Sequence, residues 1–270
     1  MIHEPETPAM AGPQGLRICA IQRLAQGGRW RVEAMRSLSE PLLLWFTRGQ
    51  GRITVAGNTR GYGAHNAVFV PPNTMHGFEV SSQVYGTALY FGRNSRVVLP
   101  DRPLHLRIRD TAPQAEVTAL LDHIRTEMEQ DRPGNLRAVG HYLGLLSVWL
   151  ERQAATWPDT QRPDAARRLI ARYTDLLERD FRSGAGVADY ARALDVTPTH
   201  LTRACRQSCG RSASQLLHDR LLFEARRLLM ETRMPVKAVS QSLGFTSPAY
   251  FTRAFQNGTG KTPSAFRKAA

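Results

Sequence analysis

Leu201-Thr-Arg-Ala-Cys205, followed by Gly210-Arg-Ser-Ala-Ser214, returns fifty residues later as Phe251-Thr-Arg-Ala-Phe255, followed by Gly260-Lys-Thr-Pro-Ser264. Upstream the match continues at an offset of forty-nine, pairing Val187 with Val236, Ala191 with Ser240, Leu194 with Leu243 and Asp195 with Gly244. Within the last 85 residues one supersecondary unit therefore occurs twice. Each copy reads as a helix, a tight turn and a second helix, over about 187–207 and about 236–257. Thr197 in the first copy, and Thr246 or Ser247 in the second, are placed to cap the second helix, with Pro198 at a first helical position. A sharp turn between such helices favours a residue at positive φ, which Gly244 adopts freely and Asp195 at some cost.

The second helices divide into two faces. Leu201, Ala204 and Cys205, like Phe251, Ala254 and Phe255, share an apolar side that should pack inward. The opposite side carries Thr199, Thr202, Arg203 and Arg206 in one copy and Ala249, Thr252, Arg253 and Gln256 in the other, at i, i+3, i+4 and i+7. In a major groove Arg bonds guanine O6 and N7, while Thr and Ala offer a hydroxyl or methyl to base edges. Thr199, Thr202, Arg203, Ala249, Thr252 and Arg253 are the candidate base contacts; Arg206, Arg211, Gln256 and Lys261 are the candidate phosphate contacts. A solvated surface is the ordinary reading of exposed arginines, and it suits Arg179, Arg182 and Arg233; recurrence at equivalent positions sets Arg203 and Arg253 apart.

Between the copies, Leu217, Leu221, Ala225, Leu228 and Leu229 describe a helix from Ser214 to Met230. At 1.5 Å per residue it would be about 25 Å long, comparable with one turn of B-DNA, ~34 Å, so two recognition helices could enter successive major grooves. Charge supports an anionic partner: of 36 basic residues 33 are Arg, and residues 163–270 hold 18 basic and 9 acidic side chains of a chain whose net charge is +13. Double-stranded DNA is the expected partner.

Residues 167–268 resemble the AraC/XylS family of bacterial transcription regulators. The resemblance rests on YARALDVTPTHLTRACRQSCGRSASQLL from Tyr190 and VKAVSQSLGFTSPAYFTRAFQNGTGKTPSAFRK from Val236, above all LGF, YFTRAF and TGKTPSAFR. Asp195 and Cys205 depart from it, standing where the family usually has Gly and Phe. The resemblance implies a transcription regulator that is not an enzyme, with RNA polymerase as a candidate protein partner.

Working back from the repeat, AATWPDTQRPD at 154–164 breaks two helical patterns and reads as a linker ahead of a 165–270 DNA-binding domain, whose first helix runs from about Ala165 to Phe181. Residues 16–153 form the preceding domain, and 1–15 a loose tail without the basic patch and apolar run of a secretory signal. From Leu16 to Phe91, LRICAIQ, RVEAMRSL, PLLLWFTRG, GRITVAG, NAVFVPP, GFEV and YGTALYF are short apolar or alternating runs punctuated by glycines, the pattern of an antiparallel barrel or sandwich. Val117, Leu121, Ile124 and Met128, then Leu136, Val139, Leu143, Leu146 and Leu150, switch to helical spacing and suggest a helical hairpin. The second stripe suits either a homodimer seam or a seal against the barrel. The expected fold class is α+β: a cupin-like barrel with a helical hairpin, then an all-α domain of two helix-turn-helix units joined by a linker helix.

Gly51 to Val80, with Pro71, Pro72 and His76 after the strand Val68–Val70, is similar to the cupin-type sensor barrel of many AraC/XylS members, which implies control by a small-molecule effector. Met35, Trp45, His76, Phe78 and Tyr90 are the candidate pocket. His65 and His76 supply no HxH and no suitably placed Glu, so neither a metal nor another cofactor is expected, and no catalytic residue is assigned. Gly258-Thr-Gly-Lys-Thr262 is not a phosphate loop, since that pattern needs Gly where Phe255 stands. Cys205 and Cys209 read as packing residues rather than a thiol sensor, and the three cysteines form no disulfide framework or CxxC spacing. The longest membrane-like stretch, Ala138 to Leu150, is shorter than the roughly 20 apolar residues of a membrane span, so a cytoplasmic protein is expected. Two other function classes compete: a cupin enzyme with an accessory DNA-binding domain, and a non-specific architectural DNA binder with steep salt dependence and little base preference.

Overall fold

The computed structural model describes residues 15–26, 28–93, 97–156 and 164–268. Most of the tail and residues 157–163 of the expected linker lie outside the described residues. Eight strands come first, in the order β1 (Leu16–Ala20), β2 (Leu42–Arg48), β3 (Gly51–Val55), β4 (Asn58–Tyr62), β5 (Asn66–Val70), β6 (His76–Phe78), β7 (Tyr85–Phe91) and β8 (Leu104–Arg107), with a short helix α1 (Trp30–Glu33) after β1. They form two antiparallel sheets, β1-β7-β2-β5-β8 and β4-β3-β6.

Strand alternation builds two cores from the larger sheet. On β2, Leu42, Leu44 and Phe46 join Ile53, Val68, Val70, Phe78 and Tyr90 between the sheets. Leu43 and Trp45 point the other way, with Phe69, Leu89 and Phe91. That outer face is covered by α2 (Thr111–Glu129) and α3 (Asn135–Thr156). Trp45 Nε1 donates to Thr118 Oγ1 at 3.2 Å and Trp149 Nε1 to the Pro113 carbonyl at 3.1 Å, so both indoles are buried without orphaning their N–H.

The remaining helices are α4 (Ala165–Asp180), α5 (Val187–Ala193), α6 (Pro198–Cys209), α7 (Ala213–Glu231), α8 (Val236–Ser242), α9 (Pro248–Thr259) and α10 (Pro263–Lys268). Their core is centred on Ile170, Tyr173, Leu177, Leu201, Leu216, Leu229, Phe251 and Phe255, and it also takes in Met35 and Met75 from the barrel.

The leucine stripe resolves as intramolecular. Val139, Leu143, Leu146 and Leu150 are at most 1% exposed, packed with Trp45, Phe69 and α2. They are not available as a dimer seam, because the hairpin spends its apolar face on the sheet. Leu136 is outside this core and exposed. RVEAMRSL is also no strand: it contributes α1 and a single bridge between Arg36 and His76. NTRGY and LHLR, which did not stand out as strands, form β4 and β8 at sheet edges.

Candidate nucleic-acid interface

The offset of forty-nine to fifty residues is reproduced element by element. α5 and α8 are seven residues each and begin at Val187 and Val236; α6 and α9 are twelve each and begin at Pro198 and Pro248. The extra residue of the second copy is in its turn, where Gly244, Phe245 and Thr246 replace Asp195 and Val196. Thr197 Oγ1 accepts from the His200 N–H at 3.2 Å, and Ser247, not Thr246, accepts from Tyr250 N–H at 3.4 Å. Each pair satisfies one of the orphan donors of a helix start. Both helices end at a left-handed glycine, Gly210 at φ 70° and Gly260 at φ 72°.

Leu201, Cys205, Phe251 and Phe255 are at most 1% exposed, and Ala204 is buried while Ala254 is half-buried. Cys205 is held protonated, its pKa pushed up to about 12 by burial and by the adjacent Cys209, whose own pKa burial also raises. Neither thiol has the lowered pKa a reactive thiolate needs.

The outward faces carry the expected side chains. Thr199, Arg203, Arg206, Ala249, Arg253 and Gln256 are exposed, and Thr202 and Thr252 are partly exposed beside them. Among the described residues Arg203, Arg206 and Arg253 form no ion pair, which leaves their guanidinium forks available. Thr252 Oγ1 donates back to the Pro248 carbonyl at 2.9 Å, so it presents mainly its methyl group. Lys261 is exposed just beyond α9. Arg211 differs: it pairs with Asp219 and lines a recess with Arg29, Glu33 and Arg52 of the barrel, so it is turned to the protein rather than to a phosphate.

What holds the two units to each other was not visible in the repeat. Gly244, at φ 75°, lies against the segment before α5, so that a Cβ there would fall 2.4 Å from Gly184 N and 2.6 Å from the Arg182 carbonyl. Below it, Arg220 of α7 is 4% exposed and grips both oxygens of Glu178 at 2.7 and 2.8 Å, with its guanidinium 3.9 Å from the Phe181 ring. Glu224, 3% exposed, accepts from Arg182, Arg220 and Arg227. Burial alone would raise the Glu224 pKa, but hydrogen bonding to Arg227 and the charges of Arg220, Arg227 and Arg182 outweigh it and bring it down to about 2. The sequence signal was present in Arg220 and Glu224 at i, i+4 on an otherwise apolar helix face.

The five candidate pocket residues do not line one cavity. Phe78 and Tyr90 are core between the sheets, Trp45 faces α2 and α3, and Met35 packs with the helical core. His76 is fully buried with Nδ1–H donating to the Thr74 carbonyl at 2.8 Å. A cavity of about 350 Å³ instead opens between Ile53, Val68 and Leu104 of the barrel and Arg167 and Arg168 of α4. Among the described residues no helix is long and apolar enough to cross a membrane.

Two short capped helices, repeated at fixed spacing on one connecting helix and each presenting an arginine that forms no ion pair among the described residues, define a pair of helix-turn-helix units, a form that in DNA-binding domains enters the major groove. The helix-turn-helix domain family matches residues 190–269. The arabinose operon regulatory protein of Salmonella typhimurium is 30% identical over 125 residues, covering 46% of this chain and 44% of the relative. The Escherichia coli protein of the same name is 35% identical over 85 residues, 32% of this chain and 29% of the relative, so the chain spans less than half the length of these two. The Msm operon regulatory protein of Streptococcus mutans is 20% identical over 228 residues, covering 82% of this chain and 81% of the relative. Among solved structures, an apo form of ToxT from Vibrio cholerae, carrying a single substitution, aligns over 94% of this chain and 96% of that chain, at 12% identity and a TM-score of 0.43. Residues 190–269 thus match the helix-turn-helix domain family, and that part of the chain is similar to the arabinose operon regulatory proteins.

Proposed function

We propose that the protein is a sequence-specific transcription regulator acting in the cytoplasm, with residues 165–270 reading duplex DNA and residues 16–153 sensing a small effector. The observation that carries the DNA reading is the recurrence of an exposed Thr and Arg, Thr202-Arg203 and Thr252-Arg253, on two helices with the same length, cap and left-handed exit. An arginine placed bidentate on guanine discriminates by about 1–3 kcal/mol per base pair.

The test is selection of binding sites from a random duplex library with the wild-type protein and with Arg203→Ala and Arg253→Ala. The expected result is a site of two blocks about one helical turn apart, each relaxed by its own substitution. Recovery of no enriched sequence would overturn the reading and favour an architectural DNA binder.

The 350 Å³ cavity supports the sensing role, being within the size range of small-molecule sites. Its floor is apolar, from Ile53, Val68 and Leu104, which suits a ligand with an apolar body. Because α4 forms one wall, an occupant would touch the DNA-binding half directly. Thermal shift with small apolar carboxylates and the matching alcohols tests this: a ligand that stabilises the wild-type protein is expected not to stabilise Ala171→Trp, which fills the cavity from α4, and equal stabilisation of both proteins would remove the assignment of this cavity.

A further inference from the structure

The N-terminal half touches the first helix-turn-helix unit directly and reaches the second through α7, at matching places of the repeat. On the first unit, Ser208 Oγ in the last turn of α6 donates to Asn58 Oδ1 of β4 at 2.9 Å. At the second, Arg226 Nη2 of α7 donates at 3.2 Å to the carbonyl of Gly258, in the last turn of α9. That arginine lies 5.1 Å over the ring of Trp30 on α1, and Trp30 is also packed against Phe223 of α7 at 5.8 Å and Phe266 of α10 at 6.2 Å between ring centroids. Ser208 and Gly258 are the same position of the repeat, fifty residues apart.

We infer that Asn58 and Trp30 are positioning residues through which the barrel fixes the relative placement of the two recognition helices, and so sets the separation of the DNA blocks the protein accepts. This rests on the DNA reading proposed above. The units meet each other directly where Gly184 abuts Gly244, in the turn preceding α9. Gly258 lies most of a helix further on, about 16 Å at 1.5 Å per residue, where the hold comes from Arg226 under Trp30. The hairpin tip that carries Asn58 is equally constrained: a Cβ on Gly57 would fall 1.9 Å from Ile170 Cγ2 of α4. Each base pair added between two blocks moves one of them by about 3.4 Å and rotates it by about 35°. A body that holds one helix end directly and braces the arginine that holds the other resists that displacement, whereas one connecting helix alone can bend or twist to follow it.

The experiment measures the full-length protein on its selected site and on versions with the blocks one base pair closer or one or two further apart. Wild-type protein is expected to lose at least tenfold in affinity at each altered spacing, and the Trp30→Ala/Asn58→Ala protein threefold or less, with the base preference within each block unchanged. Trp30→Phe keeps an aromatic face for Arg226 and should retain wild-type discrimination. Asn58→Ala alone removes the bond to Ser208 and one to the Ala56 carbonyl within the same hairpin, and an intermediate spacing ratio is expected for it even if the Trp30 substitution impairs folding. Spacing ratios equal to wild type in both Asn58→Ala and the double variant would overturn the inference. Because block preference is first measured on the wild-type protein, failure of the DNA reading shows itself there, as absence of any preferred block, and overturns both.

Discussion

Asp195 and Gly244 hold the same station in the two helix-turn-helix units and share a left-handed backbone, at φ 56° and φ 75°. An L side chain in that region costs on the order of 1 kcal/mol, and Asp tolerates it better than most. Asp195→Gly should therefore stabilise the protein by up to about 1 kcal/mol in urea unfolding, the relief of strain being partly offset by the greater freedom of glycine in the unfolded chain. The reciprocal change is not symmetric. A Cβ at Gly244 would meet the backbone of Arg182 and Gly184 as well as the strained φ, so Gly244→Ala should destabilise by about 2–3 kcal/mol.

Arg220, with Glu178 and Glu224 on either side, is the charged centre of an otherwise apolar interior. Removing it takes the arginine from Glu178 and one of three arginines from Glu224, which is 3% exposed, and Arg220→Met should lower stability by about 3–5 kcal/mol. Arg220→Lys should recover little, because one ammonium cannot reproduce the paired bonds to Glu178 Oε1 and Oε2. Chemical denaturation of the three proteins at neutral pH checks both statements.

Acid should weaken the fold in two stages. His76 and His105 are kept neutral: burial, then Arg36, lowers the first to about 3, and burial, then Arg60, lowers the second to about 4. The unfolded chain binds their protons first, from about pH 6.5 downward, so stability falls with decreasing pH by up to about 1.4 kcal/mol per unit for each histidine. Glu224, depressed to about 2 in the fold, contributes stability that is complete above about pH 4.5 and is lost as pH falls through 2. Unfolding free energies at pH 7, 5.5 and 4 should decline, and His76→Asn should flatten both intervals, the second more than the first.

Leu143 and Leu146 are fully buried against the sheet, with no surface left for a second chain. Leu143→Ala should destabilise by about 2–5 kcal/mol through loss of transfer energy and creation of a cavity. Sedimentation of the folded variant should show the same oligomeric state as wild type. A shift to a smaller species without loss of stability would contradict the intramolecular assignment.

The repeat was legible because its signals are local: Pro198 and Pro248 after capping hydroxyls, Gly210 and Gly260 after the last apolar residue, and one face of arginine and threonine on each helix. The barrel was legible as a class but not in all its strands. β4 and β8 run along sheet edges, where one side of the backbone lacks a partner and the alternation is weak: of NTRGY only Tyr62 is buried. The misplaced pocket had a readable warning, since Trp45 is odd-numbered on a strand whose inner face carries Leu42, Leu44 and Phe46. The contacts from Asn58 to Ser208 and from Trp30 to Phe223 and Arg226 join residues 150 or more positions apart, and no pattern along the chain announces them.

Met35 and Met75 leave the barrel to pack among the helices that carry the reading faces, and Gly57 leaves no room for a side chain against Ile170. A sensor half transplanted from a relative would have to bring both methionines and a bare hairpin tip, or the receiving helices would expose apolar surface to water. Functional chimaeras should accordingly succeed when the junction carries this packing along, and aggregate when the cut follows the boundary between strand and helix alone.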